Sequence, residues 1–102
     1  MSRPKKCRRI CCLPEHTDFG PLCMRSASDP IDMALDEFES IRLIDLESMT
    51  QEQCAVRMNV ARTTAQAVYN SARKKLAACL VLEKNLLIEG GEYVLCDGDA
   101  EK

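Results

Sequence analysis

Cys7, Cys11, Cys12, His16 and Cys23 crowd one short stretch, and they are the side chains here best suited to holding a metal. Four soft ligands drawn from them could enclose zinc. Neighbouring thiols also suit an iron–sulfur cluster or a redox-switched pair. The spacing argues the other way: there is no paired Cys-x-x-Cys arrangement, and adjacent Cys11 and Cys12 rarely both ligate one zinc. Free thiols beside a surface histidine are therefore the favoured reading, and no cofactor is expected. Seven cysteines are an odd count and no secretion signal precedes them, which speaks against a disulfide framework. Cys54, Cys79 and Cys96 read as small apolar core residues. No nucleophile–base–acid arrangement, phosphate loop or paired-ligand hydrolase motif occurs, so the chain is not expected to be an enzyme.

The second chemistry on offer is electrostatic. "VRMNVARTTAQAVYNSARKKL", Val56 to Leu76, contains no acid in a chain whose net charge is −2. Residues 29–52 carry eight acids against Arg42, and residues 83–102 carry six against two lysines. Residues 53–82 carry Arg57, Arg62, Arg73, Lys74 and Lys75 with no acid, and residues 1–9 carry Arg3, Lys5, Lys6, Arg8 and Arg9 with none. Two basic blocks on a weakly acidic protein are the footprint of a polyanion, and the phosphates of double-stranded DNA fit it.

A helix must position the first of these blocks. Residues 62–80 contain no Pro or Gly, and Ala65, Val68, Ala72, Leu76 and Cys79 recur at helical spacing. Burying that stripe turns Thr63, Gln66, Ala67, Asn70, Arg73 and Lys74 outward, with Arg62 at the edge. The N-terminal part of such a helix reaches deepest into a major groove. Gln66 suits adenine and Arg62 guanine there, with Thr63 beside them and Asn70 intermediate. Arg73 and Lys74 suit phosphate. The basic arm, Arg3, Lys5, Lys6, Arg8 and Arg9, suits the backbone or minor groove.

The preceding elements follow from local signals. Asp36–Glu47, "DEFESIRLIDLE", reads as a helix with acids at its start and an apolar face of Phe38, Ile41, Leu43, Ile44 and Leu46. "TQEQ" matches a capping box with Thr50 as N-cap and Gln53 at the third helical position, opening a short helix to about Met58. Asn59 takes a left-handed turn. Ala55, Met58, Val60, Ala65 and Val68 meet the small and apolar constraints of a helix-turn-helix in register. All four prolines lie in residues 1–30, read as an arm and loop. "LLIEGGEYVL", Leu86–Leu95, reads as a β-hairpin around Gly90-Gly91.

The stretches "RPKKCRRIC", "LDEFESIRLIDLESMTQEQCAVRMNVARTT", "SARKKLAACLVLEK" and "IEGG" resemble a family of small, uncharacterised bacterial and archaeal proteins predicted to bind DNA. Their helix-turn-helix is similar to region 4 of sigma-70-type RNA polymerase sigma factors. The resemblance implies a DNA-binding domain and no reaction. Asn59 stands where the motif usually has glycine, and Ala61 where a serine usually caps the recognition helix.

The expected fold is mostly α: a three-helix helix-turn-helix of the sigma-70 region 4-like, winged-helix-like kind, with an N-terminal arm and a C-terminal hairpin. Residues 1–30 are the arm and loop, 31–82 the helix-turn-helix domain, 83–96 the hairpin and 97–102 a polar tail. The expected function is sequence-specific DNA binding in transcription regulation. The alternatives are a protein-interaction adaptor docking on a partner such as RNA polymerase through the acidic helix Asp36–Glu47, and a metal or redox sensor using the N-terminal cysteines. Apolar Leu80, Val81, Leu82, Leu86, Leu87 and Ile88 lead to an expected homodimer through Leu80–Leu95, the alternative being that this segment folds over its own helices. No apolar run spans a membrane, and a cytoplasmic location follows by default.

Overall fold

The computed structural model describes residues 8–21, 29–91 and 93–95. Helix α1 (Leu35–Ile41) runs on into a π-helical turn (Arg42–Leu46); α2 spans Gln51–Met58 and α3 spans Arg62–Leu82. The chain is mostly α, with short strands tying its described ends onto the helices.

Ala34 precedes α1 and has no side-chain oxygen to cap it. Glu37 reaches back instead, accepting from the Ala34 N–H at 2.9 Å, and Leu35 N–H donates to the Gly90 carbonyl at 3.0 Å. These contacts satisfy donors that a bare helix start leaves open. The helix then widens: Glu47 N–H donates to the Arg42 carbonyl at 3.0 Å, five residues back. The extra residue per turn shifts the helical phase. Leu43 stays buried, but Leu46, expected on the apolar face, is 74% exposed. The helix ends at Ser48, which takes a positive φ of 64°.

Thr50 and Gln53 form the expected capping box, with Gln53 N–H donating to Thr50 Oγ1 at 3.1 Å and Thr50 N–H to Gln53 Oε1 at 2.9 Å. Asn59 ends α2 in the left-handed region at φ 60°, and Val60 N–H then donates to the Ala55 carbonyl at 3.0 Å. Helix α3 starts after Ala61 without a side-chain cap.

The strands depart from expectation. β1 (Arg8–Ile10) pairs in parallel with β5 (Tyr93–Leu95). β4 (Leu86–Ile88) lies between β2 (Asp18–Phe19), antiparallel to it, and β3 (Ile31–Met33), parallel to it. The two strands flanking Gly90-Gly91 therefore form no hairpin. β4 is already paired on both edges, leaving no ladder for β5 to join. Gly90 and Gly91, at φ +80° and +92°, instead carry the chain across the start of α1, where a Cβ on Gly91 would lie 2.9 Å from that of Ala34. The expected arm is likewise shorter than read, because Arg8–Ile10 is a strand of the fold and Ile10 is fully buried.

Two cores result. Ile10, Met33, Leu35, Ala72, Cys79, Leu86 and Ile88 form the larger, with Phe38, Ile41 and Leu76 packed against it. Leu43, Cys54 and Met58 form the smaller, between the π turn and α2, with Ile44, Met49 and Val60 around it. Leu86 and Ile88 thus fold onto their own chain, while Leu80, Val81, Leu82, Val94 and Leu95 of the expected segment stay exposed. Among the described residues no helix is long and apolar enough to cross a membrane. The expected polar tail, 97–102, lies outside the described residues.

Candidate functional site

Helix α3 presents one continuous exposed face. Arg62, Thr63, Gln66, Ala67, Asn70, Arg73 and Lys74 are all exposed, whereas Ala65 and Ala72 are fully buried on the opposite side. Val68, expected in the buried stripe, is only half-buried. It borders a surface cleft of about 450 Å³ with Arg8, Ser71 and Lys75. Its place against the core is taken by Tyr69, which sequence reasoning missed. Positions 65, 69, 72 and 76 continue the same 3–4 spacing, so the signal was present but obscured by the phenol's polarity.

Tyr69 organises the middle of that face. Its hydroxyl donates to Asp45 Oδ1 at 2.7 Å and accepts from an Arg73 guanidinium N–H at 2.7 Å. Burial, and next the Asp45 acceptor, push the phenol above its ordinary range, so it stays protonated. The Arg73 guanidinium also lies 5.4 Å from the Tyr69 ring centre and 3.9 Å from Asp45 Oδ2. Arg73 remains 59% exposed at its side chain. An exposed pair at that distance is weak, and an incoming anion can exchange for the carboxylate.

The acids of α1 are turned inward. Glu39, only 1% exposed, accepts from both Arg42 Nε and an Arg42 terminal nitrogen at 2.9 Å, and from Cys11 N–H at 3.2 Å. Glu37 accepts from Lys75 Nζ at 2.7 Å and Ser71 Oγ at 2.6 Å. Burial opposes the charge on Glu37, but Lys75, Ser71 and the Ala34 N–H outweigh it and hold the carboxyl below its ordinary value. Lys75 is thereby an internal tie between α3 and α1. Asp36 faces Arg8 at 3.5 Å, with the Arg8 side chain 23% exposed. Arg8, expected in the free arm, is thus engaged within the fold; Arg9 is half-buried in the same strand. Arg3, Lys5 and Lys6 lie outside the described residues.

Of the candidate metal ligands, only Cys11, Cys12 and His16 fall within the described residues. Cys12 is an exposed free thiol, His16 is exposed, and Cys7 and Cys23 lie outside the described residues. Cys11 is disulfide-bonded, against the expectation of free thiols, and an Arg57 guanidinium nitrogen lies 4.0 Å from its sulfur. Among the described residues, no three His, Cys, Asp or Glu side chains group to hold a metal ion. Cys54 and Cys79 are buried in the two cores, as expected. Burial pushes the Cys54 thiol up to about 11, which keeps it unreactive. Cys96 lies outside the described residues.

Residues 1–96 match the family model described as "Protein of unknown function DUF134". A UPF0251 protein of Desulfitobacterium hafniense strain Y51 is 60% identical over 99 residues, covering 96% of this chain and 79% of its own. A UPF0251 protein of Caldicellulosiruptor saccharolyticus is 46% identical over 94 residues, covering 92% of this chain and 66% of its own. One of Thermoanaerobacter pseudethanolicus is 43% identical over 100 residues, covering 97% and 85%. No solved structure matches the chain. The chain belongs to this family of uncharacterised proteins.

Proposed function

We propose that this member of the DUF134 family binds double-stranded DNA with sequence preference and acts in transcription regulation. In this reading α2, the turn at Asn59-Val60 and α3 are a helix-turn-helix similar to sigma-70 region 4. The N-terminal half of α3 enters the major groove. The observation that carries the reading is the α3 face itself: seven exposed positions from Arg62 to Lys74, without one acid on the whole helix. A solvated face has no reason to exclude acids over 21 residues in a chain with 16 of them. A face apposed to phosphate does, because a carboxylate there would meet like charge.

The roles divide by depth. Thr63, Gln66 and Arg62 read base edges, with Gln66 able to pair with adenine through two hydrogen bonds. Asn70 sits at the groove's rim. Arg73 and Lys74 hold phosphate and fix register, Arg73 exchanging Asp45 for the DNA backbone. Arg3, Lys5, Lys6 and Arg9 supply the flanking basic contact. Two features weigh against docking on RNA polymerase through the acidic helix. Asp36, Glu37 and Glu39 are buried and partnered, leaving only Asp45 and Glu47 of that helix's acids exposed.

Selection of bound sequences from a random duplex pool tests the reading. Wild type should enrich a short motif. Gln66→Ala should relax preference at one base pair by about 1–3 kcal/mol while retaining overall affinity. A pool that stays random through repeated rounds with folded protein would contradict sequence-dependent binding.

A further inference from the structure

Helix α3 carries no acid of its own, yet one acid from elsewhere in the chain stands beside its exposed face. Asp45, in the π turn, places Oδ2 3.9 Å from Arg73 Nε, and its Oδ1 accepts from the Tyr69 hydroxyl at 2.7 Å. The same hydroxyl accepts from an Arg73 terminal nitrogen at 2.7 Å, so carboxylate, phenol and guanidinium close a ring of contacts. The side chains of Asp45 and Arg73 are 40% and 59% exposed, which opens that ring to water. Among the described residues, no acid pairs with Arg62 or Lys74. Of the cations on this face, Arg73 is the one that meets a carboxylate.

The ring is firm on one side and loose on the other. Leu43 is fully buried, and its carbonyl accepts from Met49 N–H at 3.0 Å. Arg42 is held by Glu39 through two nitrogens at 2.9 Å and by Glu47 at 3.4 Å. The backbone that carries Asp45 is therefore fastened on both sides. Tyr69, buried in α3, then fixes the direction of the carboxylate. Arg73 has only surface contacts and a long stem with many rotamers. When an outside anion reaches the guanidinium, Arg73 is the part that moves and Asp45 the part that stays.

We infer that Asp45 is a built-in competitor of DNA for Arg73, which lowers the affinity of the chain for every duplex. The inference rests on the placement of residues 62–74 on DNA. A carboxylate fixed in this position acts twice. It occupies the guanidinium while no DNA is bound. It also remains close by once Arg73 has turned to a phosphate, and the two anions repel. Phosphate contacts carry no sequence information, so selected and random duplexes are affected alike. Tyr69 is the positioning residue, because its hydroxyl holds the acid and the base of the pair at once. Water weakens an exposed pair, so the effect is a few-fold adjustment and not a block.

A double-mutant cycle on duplex affinity at low salt tests it, with wild type, Asp45→Asn, Arg73→Gln and the two together. Asparagine keeps an acceptor for the Tyr69 hydroxyl, so the turn stays in place. Glu47→Gln is the control: it removes the same charge from an acid 48% exposed at its side chain that pairs with Arg42 instead. Asp45→Asn should tighten binding by about two- to five-fold, the scale of an exposed ion pair. The gain should be equal on a selected and a random duplex and larger than that of Glu47→Gln. In the Arg73→Gln background it should shrink to the control's. A gain that persists in full without Arg73 would show Asp45 acting as bulk charge, and would overturn the inference. So would a wild type that binds DNA no more weakly than Asp45→Asn. If no protein of the cycle binds any duplex, the DNA reading itself falls and the competition falls with it.

Discussion

Glu37 shows how this small fold spends its acids. One carboxylate accepts from the backbone at the start of α1 and from Ser71 and Lys75 of α3, so it caps one helix and fastens it to another. The alternation of acidic and basic blocks along the sequence is partly this internal matching, with Asp36 on Arg8 and Glu39 on Arg42. Sequence reading recognised the acids as helix-start residues but missed their burial, because their partners lie up to 38 residues away. Glu37 is depressed below its ordinary value of 4.5. Its contribution to stability is therefore present above the unfolded-state pKa and is lost as pH falls through the folded value. Lys75→Met should cost about 1–3 kcal/mol at pH 7, the scale of a lost hydrogen bond to a charged group. Urea titrations at pH 7 and pH 3 check this: the gap between variant and wild type should narrow at the lower pH. A gap of the same size at both would show that Lys75 acts through packing alone.

Among the elements, local chemistry was legible and non-local pairing was not. Thr50 with Gln53, and Asn59 as a left-handed stop, are signals carried within a few residues, and both occur as read. The outward set on α3 followed from periodicity alone. The strands of two or three residues carry no such signal, since their pairing depends on segments far apart in the chain. Gly90-Gly91 misled for the same reason: its positive φ values were foreseeable, but not that β4 would already be paired on both edges. Ala61 is the element-scale weakness, leaving α3 without a side-chain cap. Ala61→Ser should add about 0.5–1 kcal/mol to unfolding free energy by supplying an acceptor for the open N–H groups. Thermal and urea denaturation check it. A destabilised variant would mean that the Ala61 methyl packs in a way its exposure does not suggest.

At the scale of the molecule, the family relationship covers nearly the whole chain, and the proposed function rests on the charge asymmetry of α3. One end of the helix is polar and basic and the other is apolar, with the core gripping it between. The central claim is that the basic end lies on DNA. Duplex affinity measured across a salt series tests it most directly, comparing wild type with a folded Arg73→Gln, Lys74→Gln double variant. Wild-type affinity should fall steeply with salt. The double variant should bind all duplexes more weakly, with the log–log slope shallower by about 2, one released counterion for each lost phosphate contact. Equal affinity and equal slope in the two proteins would contradict the placement of α3 on DNA.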